Sequence, residues 1–246
     1  MAQKTIGIGI DGCRAGWLMV LFDGTTAEMQ MLPEISAFAE LDLAGRPVWV
    51  DMPIGFMDNG ADGRECDRAA RKYLSPLRHS SVFTPPCRAA VYAEKSEASA
   101  MNFEHTGKKL SQQSLNIVPK IRELDSYLTS LSIPDRLLWS EAHPEVVFGA
   151  LNGGQPLVHK KKNKEGEQQR LQLLQPWFPE VFDWMANARG RYLRKDVLPD
   201  DIVDALGLAI ASYLVQSGLA QERKLPSNPT RDQEGLLMQI VYAVPR

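Results

Sequence analysis

Ile6, Ile8 and Ile10 alternate with Gly7 and Gly9, and the run stops on Asp11. A period of two is the pattern of a strand, so one face of this segment is core and the other is bare of side chains until the acid. We read the glycines as clearing the face on which Asp11 projects, so that a bound group can approach the backbone closely. "DGCRAG" then supplies turn residues, "WLMVLF" from Trp17 is a second apolar run ending at Asp23 and Gly24, and "TAEMQMLP" has the character of a third strand. Short turns between the three predict an antiparallel meander.

The next segments repeat the motif of an acid at a strand end. "EISAFAELDL" from Glu34 has Ile35, Phe38, Ala39 and Leu41 at helical spacing and leads into "RPVWVDMPIG", where Val48 and Val50 alternate with Trp49 and Asp51 before Pro53. "RLLWSEAHPEVVF" from Arg136 delivers Glu141 and His143 just ahead of Pro144, which is placed to open a helix towards Leu151. "LPDDIVDALGLAIASYL" predicts a further helix, acidic in its first turn and apolar afterwards. Residues 60 to 130 form a largely helical insertion, and "HKKKNKEGEQQRLQLL" is a basic stretch opening into a helix. The carboxy-terminal "GLLMQIVYAV" fits an edge strand and a packed tail equally well.

No Pro/Gly/Ser linker or internal repeat divides the 246 residues, so a single elaborated domain over residues 1–246 is expected. With 44% hydrophobic and 24% charged residues there is ample material for a core. A net charge of -2 argues against a broad, non-specific nucleic-acid binder and leaves room for a local basic patch. Cys13, Cys66 and Cys87 form no C-x-x-C pair, so neither a disulfide framework nor a zinc site is expected, and a reducing, cytoplasmic setting fits. "MAQKT" has no apolar leader, and the most apolar stretch, from Ile202, is too short for a membrane span and contains Asp204.

Asp11, Asp51 and Glu141 each fall at or near the carboxyl end of a strand, where open α/β sheets bind ligands, and Asp201 and Asp204 lie at a helix start. Oxygen-rich clusters of this kind suit Mg²⁺ or Mn²⁺. Each acid also has a plain structural role open to it: Asp11 in a turn, Asp200 as a helix cap, Asp201 in the first-turn field of the helix. Asp204 is harder to explain so, because it stands among Ile202, Val203, Ala205 and Leu206, and a buried carboxylate needs a partner or a metal.

Taken together, "GIDGCRAGW", "VDMPIGF", "RECDRAAR", "SSVFTPPCR", "LSQQSLNIVPKI", "EAHPEVVF" and "PDDIVDAL" resemble the family catalogued as domain of unknown function 429, usually described as predicted RNase H-like nucleases. The resemblance extends from Ile6 to the "RDQEGLLMQIVY" stretch. It implies an α/β fold with an RNase H-like mixed five-stranded sheet flanked by helices, carrying the helical insertion and a C-terminal extension. It also implies acids from the first strand, the fourth strand and a late helix, which fall here on Asp11, Asp51 and the Asp201/Asp204 pair. Asp11, Asp51 and Asp204 are the expected ligands of Mg²⁺ or Mn²⁺; Glu141, on the fifth strand, is an acid position in only some branches of that superfamily.

Other residues suggest a substrate wall. Arg64, Arg68 and Arg71 share a helical stripe, which charge spacing alone assigns to a salt-bridged, solvated face. Ser81 and Arg88 flank a Pro-rigid loop suited to an anion, Lys120 follows a proline, and Lys161 belongs to the densest basic run, Lys160 to Lys164. His143, between Glu141 and Glu145, suits a proton shuttle and a hydrogen-bonded structural role equally. These features favour a metal-dependent phosphodiester hydrolase acting on nucleic acid or a nucleotide, over an actin or sugar-kinase type phosphotransferase using "DGCRAG" as phosphate loop, and over a non-catalytic binding protein that retains the fold.

Overall fold

The computed structural model describes residues 4–43 and 45–246, so the first three residues of "MAQKT" lie outside the described residues. Strands β1 (Gly7–Cys13), β2 (Gly16–Phe22) and β3 (Ala27–Leu32) form the meander, and a 3₁₀ turn over Ile35–Glu40 leads into β4 (Val48–Asp51). The insertion holds α1 (Glu65–Tyr73), α2 (Arg88–Tyr92), α3 (Ala98–Thr106) and α4 (Gln112–Ser130). After α5 (Ile133–Arg136) come β5 (Trp139–Glu141), α6 (Pro144–Leu151), α7 (Lys164–Leu174), α8 (Val181–Ala188) and α9 (Pro199–Gln216), and the chain closes with β6 (Ala220–Arg231) and β7 (Leu237–Pro245).

The five-stranded sheet has the order β3-β2-β1-β4-β5. β1 runs antiparallel to β2 and parallel to β4, and β4 runs parallel to β5. This mixed sheet with helices on both faces is compatible with an RNase H-like fold. Alternation along β1 and β4 splits the core. Ile8, Ile10, Val48 and Val50 pack with Ile121, Leu124 and Leu128 of α4, whereas Trp49 packs on the opposite side with α6 to α9. Among the described residues no helix is long and apolar enough to cross a membrane.

The glycine face of β1 is not open. A Cβ at Gly7 would collide with the Ala209 carbonyl of α9, and one at Gly9 with the carbonyl of Ala205. The two glycines therefore admit a helix backbone onto the strand, which corrects the expectation of a face cleared for a bound group. The arrangement explains why α9 is buried along most of its length and apolar nearly all round.

The C-terminal segment is resolved as a hairpin. β7 pairs with β6 rather than joining the main sheet, and its buried residues Met238 and Ile240 pack with Cys66 and Ala70 of α1. β6 is mostly exposed and contains Pro226 and Pro229, beside which its register with β7 shifts. Charge and proline are common protections of exposed strands, and they hide such strands from an apolar pattern.

Candidate metal centre

Asp11 and Asp51 are register partners on the adjacent parallel strands β1 and β4, so both side chains leave the sheet on the face covered by α9. Two residues of strand advance about 6.7 Å and four residues of helix about 6 Å. Stepping from Gly7 to Gly9 along β1 therefore steps from Ala209 to Ala205 along α9, and the next step brings the first turns of the helix over Asp11. Asp204 reaches the strand ends in this way. One carboxylate oxygen from each of Asp11, Asp51 and Asp204 lies within 4.8 Å of the others, the arrangement of a cation site.

Burial shapes the electrostatics of the trio. Asp204 is fully buried and Asp11 nearly so, while Asp51 is half-buried. Desolvation, followed by the charges of Asp51 and Asp204, holds the Asp11 carboxyl well above the ordinary carboxylate range. Asp51 is pushed up to about 7, chiefly by desolvation, with Asp204 and Glu145 adding to the rise and Lys161 opposing it. The Lys161 ammonium donates to Asp204 Oδ2. Desolvation disfavours its charge, but Asp204, Asp11 and Asp51 outweigh that and raise its pKa. Asp204 Oδ1 is buried and without a hydrogen-bond partner among the described residues. A buried lone acceptor between two other carboxylates fits a divalent cation with oxygen ligands.

Asp201 stands at the edge of the cluster. Its carboxylate accepts from the Leu198 N–H at 2.8 Å and so caps α9, whose cap residue is Leu198 rather than Asp200. Desolvation raises its pKa to about 6, with the neighbouring charge of Asp200 contributing.

His143 is the N-cap of α6 and feels the charges of Glu145, Lys161 and Asp204. Its Nδ1 accepts from the Glu145 N–H at 3.2 Å, which leaves Nε2 to carry the proton towards the Ser81 carbonyl at 3.4 Å. Burial lowers its pKa, so the imidazole is neutral at physiological pH.

Several residues expected near this site are engaged elsewhere. Glu141 is in register with Val50, so it leaves the sheet on the α4 side, away from Asp51. It accepts from the Ile54 N–H at 2.8 Å and from Arg64 at 2.7 and 2.8 Å. Arg64 also holds Asp67 at 2.6 Å and donates to the Ile54 carbonyl at 3.1 Å. This network is buried, not a solvated helix face, and it braces the turn that follows Asp51. Arg88 bonds Asp125 and Asp232 through its two terminal nitrogens, so its charge is taken up by two carboxylates rather than offered to an anion. Arg71 is bound to the Val82 carbonyl and Thr84 Oγ1. Ser81 Oγ donates to the Arg78 carbonyl. Lys120 lies over the Trp17 ring and 3.7 Å from Glu123, reaching the strand end from the opposite face of the sheet. "DGCRAG" forms a tight hairpin in which Cys13 pairs with Gly16.

Sequence reasoning passed over the residues that fix Lys161. Arg170, buried, bonds Glu145 as well as the carbonyls of His159 and Gly166, and Arg78 bonds the Val158 carbonyl while lying 4.0 Å from Glu145. Glu145 thus gathers two arginines that pin the loop carrying Lys161. A lone Arg in "EQQRLQLL" gives no sign of this, although its place on the apolar side of that helix is a weak one.

No curated protein and no solved structure matches the chain. One family model does match, that of "Protein of unknown function (DUF429)", over residues 9–231. With that match spanning nearly all of the chain and including Asp11, Asp51 and Asp204, the protein belongs to the DUF429 family.

Proposed function

We propose that the protein is a divalent-metal-dependent phosphodiester hydrolase acting on nucleic acid or a nucleotide. The observation that carries this reading is the convergence of Asp11, Asp51 and Asp204 from two parallel strand ends and a helix, with an unpartnered buried oxygen among them. These three residues would hold Mg²⁺ or Mn²⁺. A cation bound there supplies positive charge that polarises a phosphoryl oxygen and acidifies water.

The chain's own residues supply the rest. Lys161 already neutralises part of the cluster and is about a third exposed, so its ammonium is placed to orient a phosphate arriving from solvent. His143, neutral and with its Nδ1 engaged, holds a proton on Nε2 at the border of the site. Glu141 and Arg64 position the backbone after Asp51 and are not assigned contact with substrate.

The reading is tested by calorimetric titration with Mn²⁺ and Mg²⁺ alongside a panel of DNA, RNA and nucleotide substrates. Metal binding with metal-dependent cleavage, both lost in Asp11→Asn, is expected. Absence of metal binding, or equal cleavage by wild type and Asp11→Asn, overturns it.

A further inference from the structure

A cavity of about 510 Å³ opens between the amino-terminal ends of α7 and α9 and the carboxyl end of α8. Its wall carries five cations, Lys161, Lys162, Lys164, Arg189 and Arg194, against two acids, Glu167 and Asp200. Arg189 is paired with Glu167, while Lys162, Lys164 and Arg194 form no ion pair among the described residues. In a chain of net charge -2 this is a local concentration of positive charge within a bounded space. The cap residue of α7, Asn163, makes no side-chain capping bond, so the first N–H groups of that helix add to the field at the cavity wall.

The cavity is not purely ionic. Ala188, Val197 and Ile202 are buried and give it an apolar lining, with half-buried Tyr192 beside them. Its volume lies within the roughly 300–1,000 Å³ of small-molecule sites, which combine apolar walls with a few placed polar groups. Cations beside an apolar wall match a phosphate attached to a nucleoside. Lys161 lines this cavity and also bonds Asp204, so the two sites share a side chain.

We propose that this cavity binds a nucleoside phosphate and presents its phosphate to the carboxylate cluster through Lys161. The ligand is one terminal nucleotide, either free or at the end of a strand, and not the middle of a long polyanion. The presentation step rests on the hydrolase reading above; the binding step does not.

Calorimetric titration of the full chain with adenosine monophosphate, in EDTA and in Mg²⁺, tests the cavity. Saturable binding in both conditions is expected, with adenosine and inorganic phosphate each weaker. Lys162→Ala and Arg194→Ala are each expected to weaken the nucleotide about tenfold, the loss of one charge-assisted contact. Asp51→Asn should keep nucleotide binding while losing Mn²⁺. Nucleotide binding without any Mn²⁺ binding in wild type would remove the hydrolase reading and leave the cavity standing. Nucleotide binding only in Mg²⁺, or unchanged in Lys162→Ala/Arg194→Ala, overturns the cavity. Comparing a 5′-phosphorylated oligonucleotide with the free nucleotide assigns the source: whichever binds tighter is the form the cavity takes.

Discussion

Asp11 and Asp51 stand opposite one another on adjacent parallel strands, at the same level and on the same face of the sheet. One oxygen of each lies within 4.8 Å of an oxygen of Asp204, and Lys161 is bonded to Asp204. Removing one like charge should therefore relieve repulsion. Asp51→Asn is expected to raise stability at pH 8 without metal by about 1 kcal/mol or more, roughly 2–4 °C in Tm for a chain of this size. The same variant should lose Mn²⁺ binding, and a Tm that falls while binding persists contradicts the assignment.

The raised carboxyls give a pH dependence of definite sign. Asp51 shifts from 3.8 to about 7 on folding, and Asp11 shifts in the same direction. The folded state then holds more protons than the unfolded one, so their contribution is fully present below about pH 4 and is lost as pH rises through about 7. Urea melts in EDTA should show stability from these groups falling between pH 5 and 8. Mn²⁺ needs deprotonated carboxylates, so its affinity should rise across the same interval.

Lys161→Met removes the ammonium that the three acids share. Metal-free protein should be less stable at pH 8, with the loss shrinking towards pH 5 as Asp11 and Asp51 take up protons. Mn²⁺ no longer competes with a resident cation and should bind tighter, on the order of tenfold. Calorimetry and thermal melts on the same preparations check both effects.

Arg64 is flanked by two buried carboxylates, Glu141 and Asp67. Arg64→Met leaves both unpaired and is expected to cost about 3–5 kcal/mol. Glu141, already raised by burial, loses the guanidinium that opposes that rise, so the variant should regain stability at lower pH. Adding Glu141→Gln and Asp67→Asn should recover much of the loss, measured as urea midpoints at pH 5 and 8.

Gly9→Ala places a methyl against the Ala205 carbonyl, and a backbone atom has no rotamer by which to yield. Overpacking of this kind costs about 1–3 kcal/mol or more. Mn²⁺ affinity should fall in chains that still melt cooperatively, because α9 must lift and carry Asp204 with it.

Much of this arrangement is legible in the sequence. The meander, β4, and the helix opening at Pro144 follow from alternation and proline placement, and the acids follow from where each apolar run stops, although β1 continues two residues past Asp11 to Cys13 while β4 ends on Asp51. Glu141 shows what a strand-end acid conceals: its face depends on its register with Val50, and β5 is only three residues long, too short to reveal that parity. β6 escapes because its exposed charges carry no apolar period. The role of Gly7 and Gly9 escapes for a related reason, since an absent side chain does not say whether solvent, ligand or helix takes its place.

The matched advance of α9 along β1 has a further mechanical meaning. Ala205 over Gly9 and Ala209 over Gly7 act like two teeth seated in the only two notches of that stretch of strand. One step towards the amino end of the helix would set the Ala205 carbonyl against the Cβ of Asp11, so the helix is keyed to a single register. The third carboxylate is thereby held at one height beside the other two.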